Sequence, residues 1–173
     1  MSFPKHGRER LLVVAALLLI LSFGAAAGPI AECNQVGDAR RQMRGCMAYL
    51  KLPSTDTMNR AVALLNRANI HASRGRYAQA LVDYKSAGEL DPDNALIPYN
   101  LGNAYLDNGK LDRAEGAFSQ AIALDGSFAL AYLNRGIARE ALGDHAKAGE
   151  DYRHALELDP SISAARRRLE ARR

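Results

Sequence analysis

The chain has no tryptophan, two cysteines and only 6% aromatic residues in 173. Each scarcity excludes something. Cys33 and Cys46 stand too far apart for a C-x-x-C redox pair and lack the companions of a zinc site, so thiolate chemistry is not expected. No His-x-x-x-His pair, nucleophile motif or glycine-rich phosphate loop occurs, which removes the usual signatures of metalloproteases, hydrolases and nucleotide enzymes. His71 reads as a satisfied core histidine. His145 and His154 lie nine residues apart on opposite faces of one expected helix, where they cannot share a metal easily. A net charge of +4 gives no strong field for a nucleic acid. The expectation is no enzyme, no catalytic residues, no cofactor, no metal and no nucleic-acid partner.

The one long hydrophobic run sits at the start. Lys5, Arg8 and Arg10 precede an apolar stretch from Leu11 to Phe23, and Ala25-Ala26-Ala27 offers an A-x-A cleavage site. This is the anatomy of an export signal over residues 1–27. The alternative is an uncleaved membrane anchor over residues 11–31 that holds the rest outside the cytoplasm. The cleaved signal implies a periplasmic or secreted location. In an oxidising compartment Cys33 and Cys46 should pair, and closing so short a loop contributes about 3 kcal/mol. The bridge would staple an N-terminal cap over residues 28–56. Within it, Met43, Cys46, Met47 and Leu50 recur at helical spacing as one apolar face. At the other end, Ile162, Ala165 and Leu169 mark a closing helix that holds Arg166, Arg167, Arg168, Arg172 and Arg173. Such arginines can face water beside the helix C-terminus or meet an anionic surface or acidic partner.

Between the ends the sequence repeats every 34 residues. Gly75, Gly109 and Gly143 keep that spacing, as do Ala80, Ala114 and Ala148. So do Tyr84, Phe118 and Tyr152, then Ala87, Ala121 and Ala155, then Leu90, Leu124 and Leu158. A period of this length with small and aromatic residues at fixed offsets means stacked helical hairpins. Leu90-Asp91-Pro92, Leu124-Asp125-Gly126 and Leu158-Asp159-Pro160 end the second helices, since proline and glycine cannot continue them cheaply.

These residues resemble the tetratricopeptide repeat family. Leu101-Gly102, Tyr105, Ala114, Phe118 and Ala121 carry the pattern most fully, and the outer two repeats keep its second-helix half with Pro92 and Pro160. The resemblance covers about residues 61–162. It implies an all-α, right-handed superhelix of three hairpins with an N-terminal cap helix and a C-terminal capping helix, the repeats and cap filling 57–173. Where the family usually has leucine, hairpins one and three carry Arg67 and Arg135, and they also carry Asp83 and Asp151; the middle hairpin has Leu101 and Ala117. The charged pair is present twice together and absent once together, so Arg67–Asp83 and Arg135–Asp151 are expected as structural ion pairs.

Family ligands lie along the first helices, which here present Val62, Leu96 and Leu130; then Leu65, Tyr99 and Leu133; then Asn66, Asn100 and Asn134; then Asn69, Asn103 and Ile137, with Leu106 further along. The asparagine ladder suits the backbone of an extended peptide or merely stabilises the repeats. The family's carboxylate clamp needs cations where Leu65, Leu130 and Asn134 stand, so an acidic tail is a poor ligand. The expected function is a non-catalytic protein–protein interaction module in the cell envelope, binding an apolar peptide or protein segment. The alternative is a self-assembling scaffold that uses the same groove between copies. The apolar groove could also hold the chain's own N-terminal segment.

Overall fold

The computed structural model describes residues 28–53 and 56–171. The expected signal over 1–27, Ser54-Thr55 of the connector and the terminal Arg172-Arg173 lie outside the described residues. No helix among the described residues is long and apolar enough to cross a membrane.

All described regular structure is helical. α1 (Pro29–Cys33) and α2 (Ala39–Lys51) precede three hairpins: α3 (Thr57–Ser73) with α4 (Tyr77–Leu90), α5 (Leu96–Asp107) with α6 (Leu111–Leu124), and α7 (Ala129–Ala141) with α8 (His145–Leu158). α9 (Ser163–Glu170) closes the stack. Each hairpin turns at a glycine with positive φ: Gly75 at 68°, Gly109 at 70° and Gly143 at 87°. A side chain there would be strained. Asp38 and Asp56 cap α2 and α3 through their carboxylates, and Asp144 accepts from the Lys147 N–H at the head of α8. These bonds satisfy donors that helix starts leave open.

Repeated small and aromatic residues build the core. Ala80, Ala114 and Ala148 are fully buried, as are Ala87, Ala121 and Ala155. Between them Tyr84, Phe118 and Tyr152 fill the space inside each hairpin at 2% exposure or less. Burying such a ring stabilises by roughly 1.5–3 kcal/mol. A Cβ on Gly102 would stand 2.6 Å from Phe118, and one on Gly136 2.6 Å from Tyr152, so glycine lets the first helix approach the ring.

The N-terminal cap differs from the isolated helix expected. α1 and α2 form a shortened hairpin in front of the array, turning at Gly37 (φ 112°). Cys33 and Cys46 are joined by a disulfide, both fully buried. A Cβ on Gly45 would meet the Cys33 backbone nitrogen at 2.6 Å, so α1 rides directly on α2. The buried face of α2 is therefore Met43, Gly45, Cys46 and Tyr49, while Met47 is 44% exposed. Of the expected Met43, Cys46, Met47 and Leu50 face, Met43 and Cys46 are buried and Leu50 packs beside the core, so only Met47 departs from it. Gly45, Cys46 and Tyr49 match Asp83, Tyr84 and Ala87 at an offset of 38, not 34, residues. The extra four are the first turn of α3, which starts at Thr57 ahead of the repeat register.

At the other end Ile162 and Ala165 are buried and Leu169 packs beside them against Tyr152 and Ala155. Both ends of the array are thus covered, which a stack of hairpins needs for solubility.

Candidate protein-binding groove

The first helices α3, α5 and α7 carry the candidate residues, and their surroundings separate three groups. Leu96 is 51% exposed and Leu130 45% exposed. They occupy the same register one repeat apart and form the open apolar surface of this face. Val62, Tyr99 and Ile137 are half-buried. Tyr99 rests against Phe128 at 4.6 Å and Phe118 at 5.9 Å between centroids. Its ring is therefore held from behind, leaving an edge available. Where the loops meet this face, Leu96, Leu124 and Phe128 line a depression of about 430 Å³ with Asp93 and Asp125 at its rim.

A second group supports the wall. Leu133 is 8% exposed and packs into the third hairpin's core with Tyr152 and Ile162. It does not present its side chain to a ligand as the register alone suggested. Leu65 packs beside the cores of Tyr84 and Ile97, and Leu106 beside that of Phe118.

The asparagines form the third group, and most are committed within the molecule. The Asn66 amide donates to the Cys33 carbonyl at 3.2 Å and to Asn34 Oδ1 at 3.1 Å. The described N-terminal segment thus sits on the first rung of the ladder and leaves hairpins two and three uncovered. Asn134 donates to Asn103 Oδ1 at 2.8 Å and to the Tyr99 hydroxyl at 3.3 Å, tying the second and third rungs together. Asn69 accepts from the Tyr84 hydroxyl at 2.6 Å, and burial pushes that phenol up. Asn100, half-buried, makes no side-chain hydrogen bond among the described residues.

The charged residues brace the hairpins. Arg67 grips Asp83 with Nε and Nη2, both at 2.7 Å, and this bond raises the guanidinium pKa further. Arg135 donates to Asp151 from Nε at 3.1 Å and Nη2 at 2.8 Å. Two partners were invisible to the repeat pattern. Arg139 adds a second cation to Asp151 at 3.0 Å and reaches back to Glu115 of the preceding hairpin at 2.8 Å. Arg135 also donates to Ser119 at 3.2 Å. Asp151, 1% exposed, is a buried charge with two guanidiniums around it, the condition under which burial of a carboxylate is tolerated.

His71 departs from the expectation of a satisfied core histidine. Its Nδ1 is buried with no hydrogen-bond partner. Desolvation pulls its pKa down, and the nearby Asp83 only partly opposes this. His145 and His154 are exposed on α8. His154 stacks on Tyr132 and meets Glu157 at 3.1 Å. No group of three or more His, Cys, Asp or Glu able to hold a metal occurs among the described residues.

Comparison with known proteins places this geometry. Family profiles described as TPR repeat and tetratricopeptide repeat match residues 68–109 and 99–161. Human RNA polymerase II-associated protein 3 is 35% identical over 102 residues, covering 59% of this chain and 15% of that protein. Rat serine/threonine-protein phosphatase 5 is 32% identical over 114 residues, 66% of this chain and 23% of the relative. The chain thus spans under a quarter of the length of these relatives. Among solved structures, the first TPR of Spaghetti (RPAP3) bound to the HSP90 peptide SRMEEVD is 33% identical, with a TM-score of 0.64 over 66% of this chain and 90% of that one. The crystal structure of MamA is 26% identical, with a TM-score of 0.72 over 84% and 82%. The curated relatives named above overturn the periplasmic or secreted location expected from the N-terminal run. They are eukaryotic proteins, several named for association with RNA polymerase II, which points away from export.

Proposed function

The chain belongs to the tetratricopeptide repeat family, and from that premise we propose that its concave face is a non-catalytic groove for an apolar peptide or protein segment. The observation that carries this reading is the pair Leu96 and Leu130, exposed at the same register on successive first helices. Two leucines held in water on a rigid wall gain about 1 kcal/mol or more each when a partner covers them. Tyr99 between them is anchored by Phe118 and Phe128, so little side-chain entropy is lost on contact.

Charge separates this groove from those of its neighbours. Solved relatives hold HSP90 and HSP70 peptides ending in the acidic sequence EEVD. Here the twelve positions counted along the three first helices hold no lysine or arginine. Asn134 spends its amide on Asn103 and Tyr99. A carboxylate entering the groove would lose water without meeting a cation.

Isothermal titration with the full chain tests this. The peptide SRMEEVD should show no measurable heat, while an uncharged peptide carrying leucine and phenylalanine at alternate positions should bind. The double variant Leu96→Glu, Tyr99→Glu should lose that binding at least tenfold while keeping its circular dichroism. Undiminished binding by the variant sinks the groove. Concentration-dependent sedimentation abolished by Leu96→Glu would favour the self-assembling reading.

A further inference from the structure

α5 has a second unfilled side. At about 100° per residue, Leu96, Tyr99, Asn103 and Leu106 lie on one stripe and Ile97, Pro98, Leu101 and Tyr105 on the opposite one. The second stripe faces α4, and a cavity of about 550 Å³ opens between them. Its walls are apolar: Leu81, Ile97, Pro98, Leu101 and Tyr105. Gly88 flattens one side, the nearest atom to a Cβ there being Ile97 Cγ2 at 3.7 Å. Val82, 65% exposed, stands at the rim.

The next seam is built from different side chains. One repeat on, Tyr132 stands where Pro98 does, Arg135 where Leu101 does, Arg139 where Tyr105 does, and Glu115 where Leu81 does. Tyr132 stacks with His154 at 5.5 Å and carries the Arg135 guanidinium at 5.4 Å, and Glu115 pairs with Arg139. Those side chains bridge their seam. At the first seam those positions hold Pro98, Leu101, Tyr105 and Leu81, and Gly88 stands where Ile122 does one repeat on.

The rim is polarised. Lys85 and Arg113 border the cavity, Arg113 lying over the Tyr105 ring at 5.9 Å. Glu89, one turn or about 6 Å along α4 from Lys85, and Asp91 in the following loop border it too. Lys85, Glu89 and Arg113 make no ion pair among the described residues. Unpaired charges of both signs around an apolar cavity complement a ligand with the opposite arrangement.

We propose that this outer seam is a second protein-binding site, independent of the concave groove. It takes a peptide segment that inserts one large apolar side chain between an acidic residue facing Lys85 and Arg113 and a basic residue facing Glu89 and Asp91. The apolar side chain supplies the binding energy; the two flanking charges set direction and selectivity. Because the two stripes of α5 point apart, both faces can be occupied together.

The probe is the capped peptide Ser-Glu-Ala-Phe-Ala-Lys-Ser, followed by methyl NMR of Leu81, Ile97 and Leu101 in the full chain. Shifts confined to those methyls are expected. Binding should fall at least tenfold when phenylalanine is replaced by serine, and at least threefold when both flanking charges are glutamate or both are lysine. Pro98→Tyr, which borrows the residue of the next seam, should abolish the shifts, and Leu96→Glu should leave them unchanged. If Pro98→Tyr fails to fold, Lys85→Glu with Arg113→Glu should weaken the peptide at least fivefold instead. Absence of shifts at millimolar peptide, shifts at Leu96 and Leu130 instead, or full binding by the filled or charge-reversed variant overturns the site.

Discussion

Pro98 and Tyr132 share a register one repeat apart, yet the seams behind them are built from opposite materials. The seam of the first and second hairpins joins Leu81, Leu101 and Tyr105 around an open volume. The seam of the second and third is crossed by Arg139 to Glu115 and by Arg135 to Ser119. The backbone framework is common to both, since glycine turns, buried alanines and one central ring recur in each hairpin. What differs is the lining: Leu81, Gly88, Pro98, Leu101 and Tyr105 stand where the next seam has Glu115, Ile122, Tyr132, Arg135 and Arg139. The 34-residue period thus governs where helices stand, while the residues at the seam decide whether neighbours lock together or leave room for a guest. In a stack where each unit touches only its neighbours, seam energies add directly to stability, so these two seams should respond differently to mutation.

The largest separation is expected at the two buried aspartates. Asp151→Ala leaves Arg135 without a carboxylate and Arg139 with Glu115 alone, both with side chains only 15% exposed. It should cost about 3–5 kcal/mol. Asp83→Ala strands only Arg67, whose side chain is 28% exposed and can turn to water, and should cost about 1–3 kcal/mol. Urea denaturation followed by circular dichroism measures both. Equal losses would mean that the second aspartate–arginine contact adds nothing to the later seam.

The two pairs within hairpins were legible because Arg67 occurs with Asp83 and Arg135 with Asp151, while the middle hairpin lacks both. The third cation was not. Arg139 stands where Tyr105 and His71 stand, and nothing in the register says that it reaches back to Glu115. The hairpin count and superhelical class followed from the period and are shown by the fold. The zeroth hairpin was hidden because the extra turn of α3 shifts it out of phase and because α1 has only five residues. Leu133 was misplaced for a related reason: register assigns a face, but packing against Ile162 decides exposure. The open seam could not be read at all, since a cavity is a volume difference between neighbouring residues. The apolar N-terminal run, for its part, suggested export, and the relatives point elsewhere.

A smaller effect isolates the seam itself. Glu115→Leu removes the bridge to Arg139 but leaves Arg139 on Asp151. Because Glu115 is 31% exposed, the loss should be only about 0.5–1 kcal/mol. It should shrink in high salt, as a partly exposed pair is screened. A loss of 3 kcal/mol or more would make the bridge, not Asp151, the main element of the closed seam.

The smallest effect belongs to His71, in the hairpin on the other side of the open seam, at the register that Tyr105 and Arg139 occupy in theirs. Its folded pKa lies below the ordinary value of 6.5 because burial disfavours the charged ring, with Arg67, Arg76 and Arg74 opposing a proton as well. The unfolded chain therefore binds a proton at a higher pH than the folded one. Stability from this group is complete above about pH 6.5 and is lost as pH falls through the folded value. His71→Tyr, which copies Tyr105, removes the titration and offers a hydroxyl where Nδ1 has no partner. Between pH 7.5 and 5.5 the variant should lose less stability than the parent in parallel urea titrations. His145 and His154, exposed on α8, are present in both proteins and cancel from the difference. Identical pH slopes would show that His71 keeps its ordinary affinity for protons, leaving the contrast between hairpins to the seam residues alone.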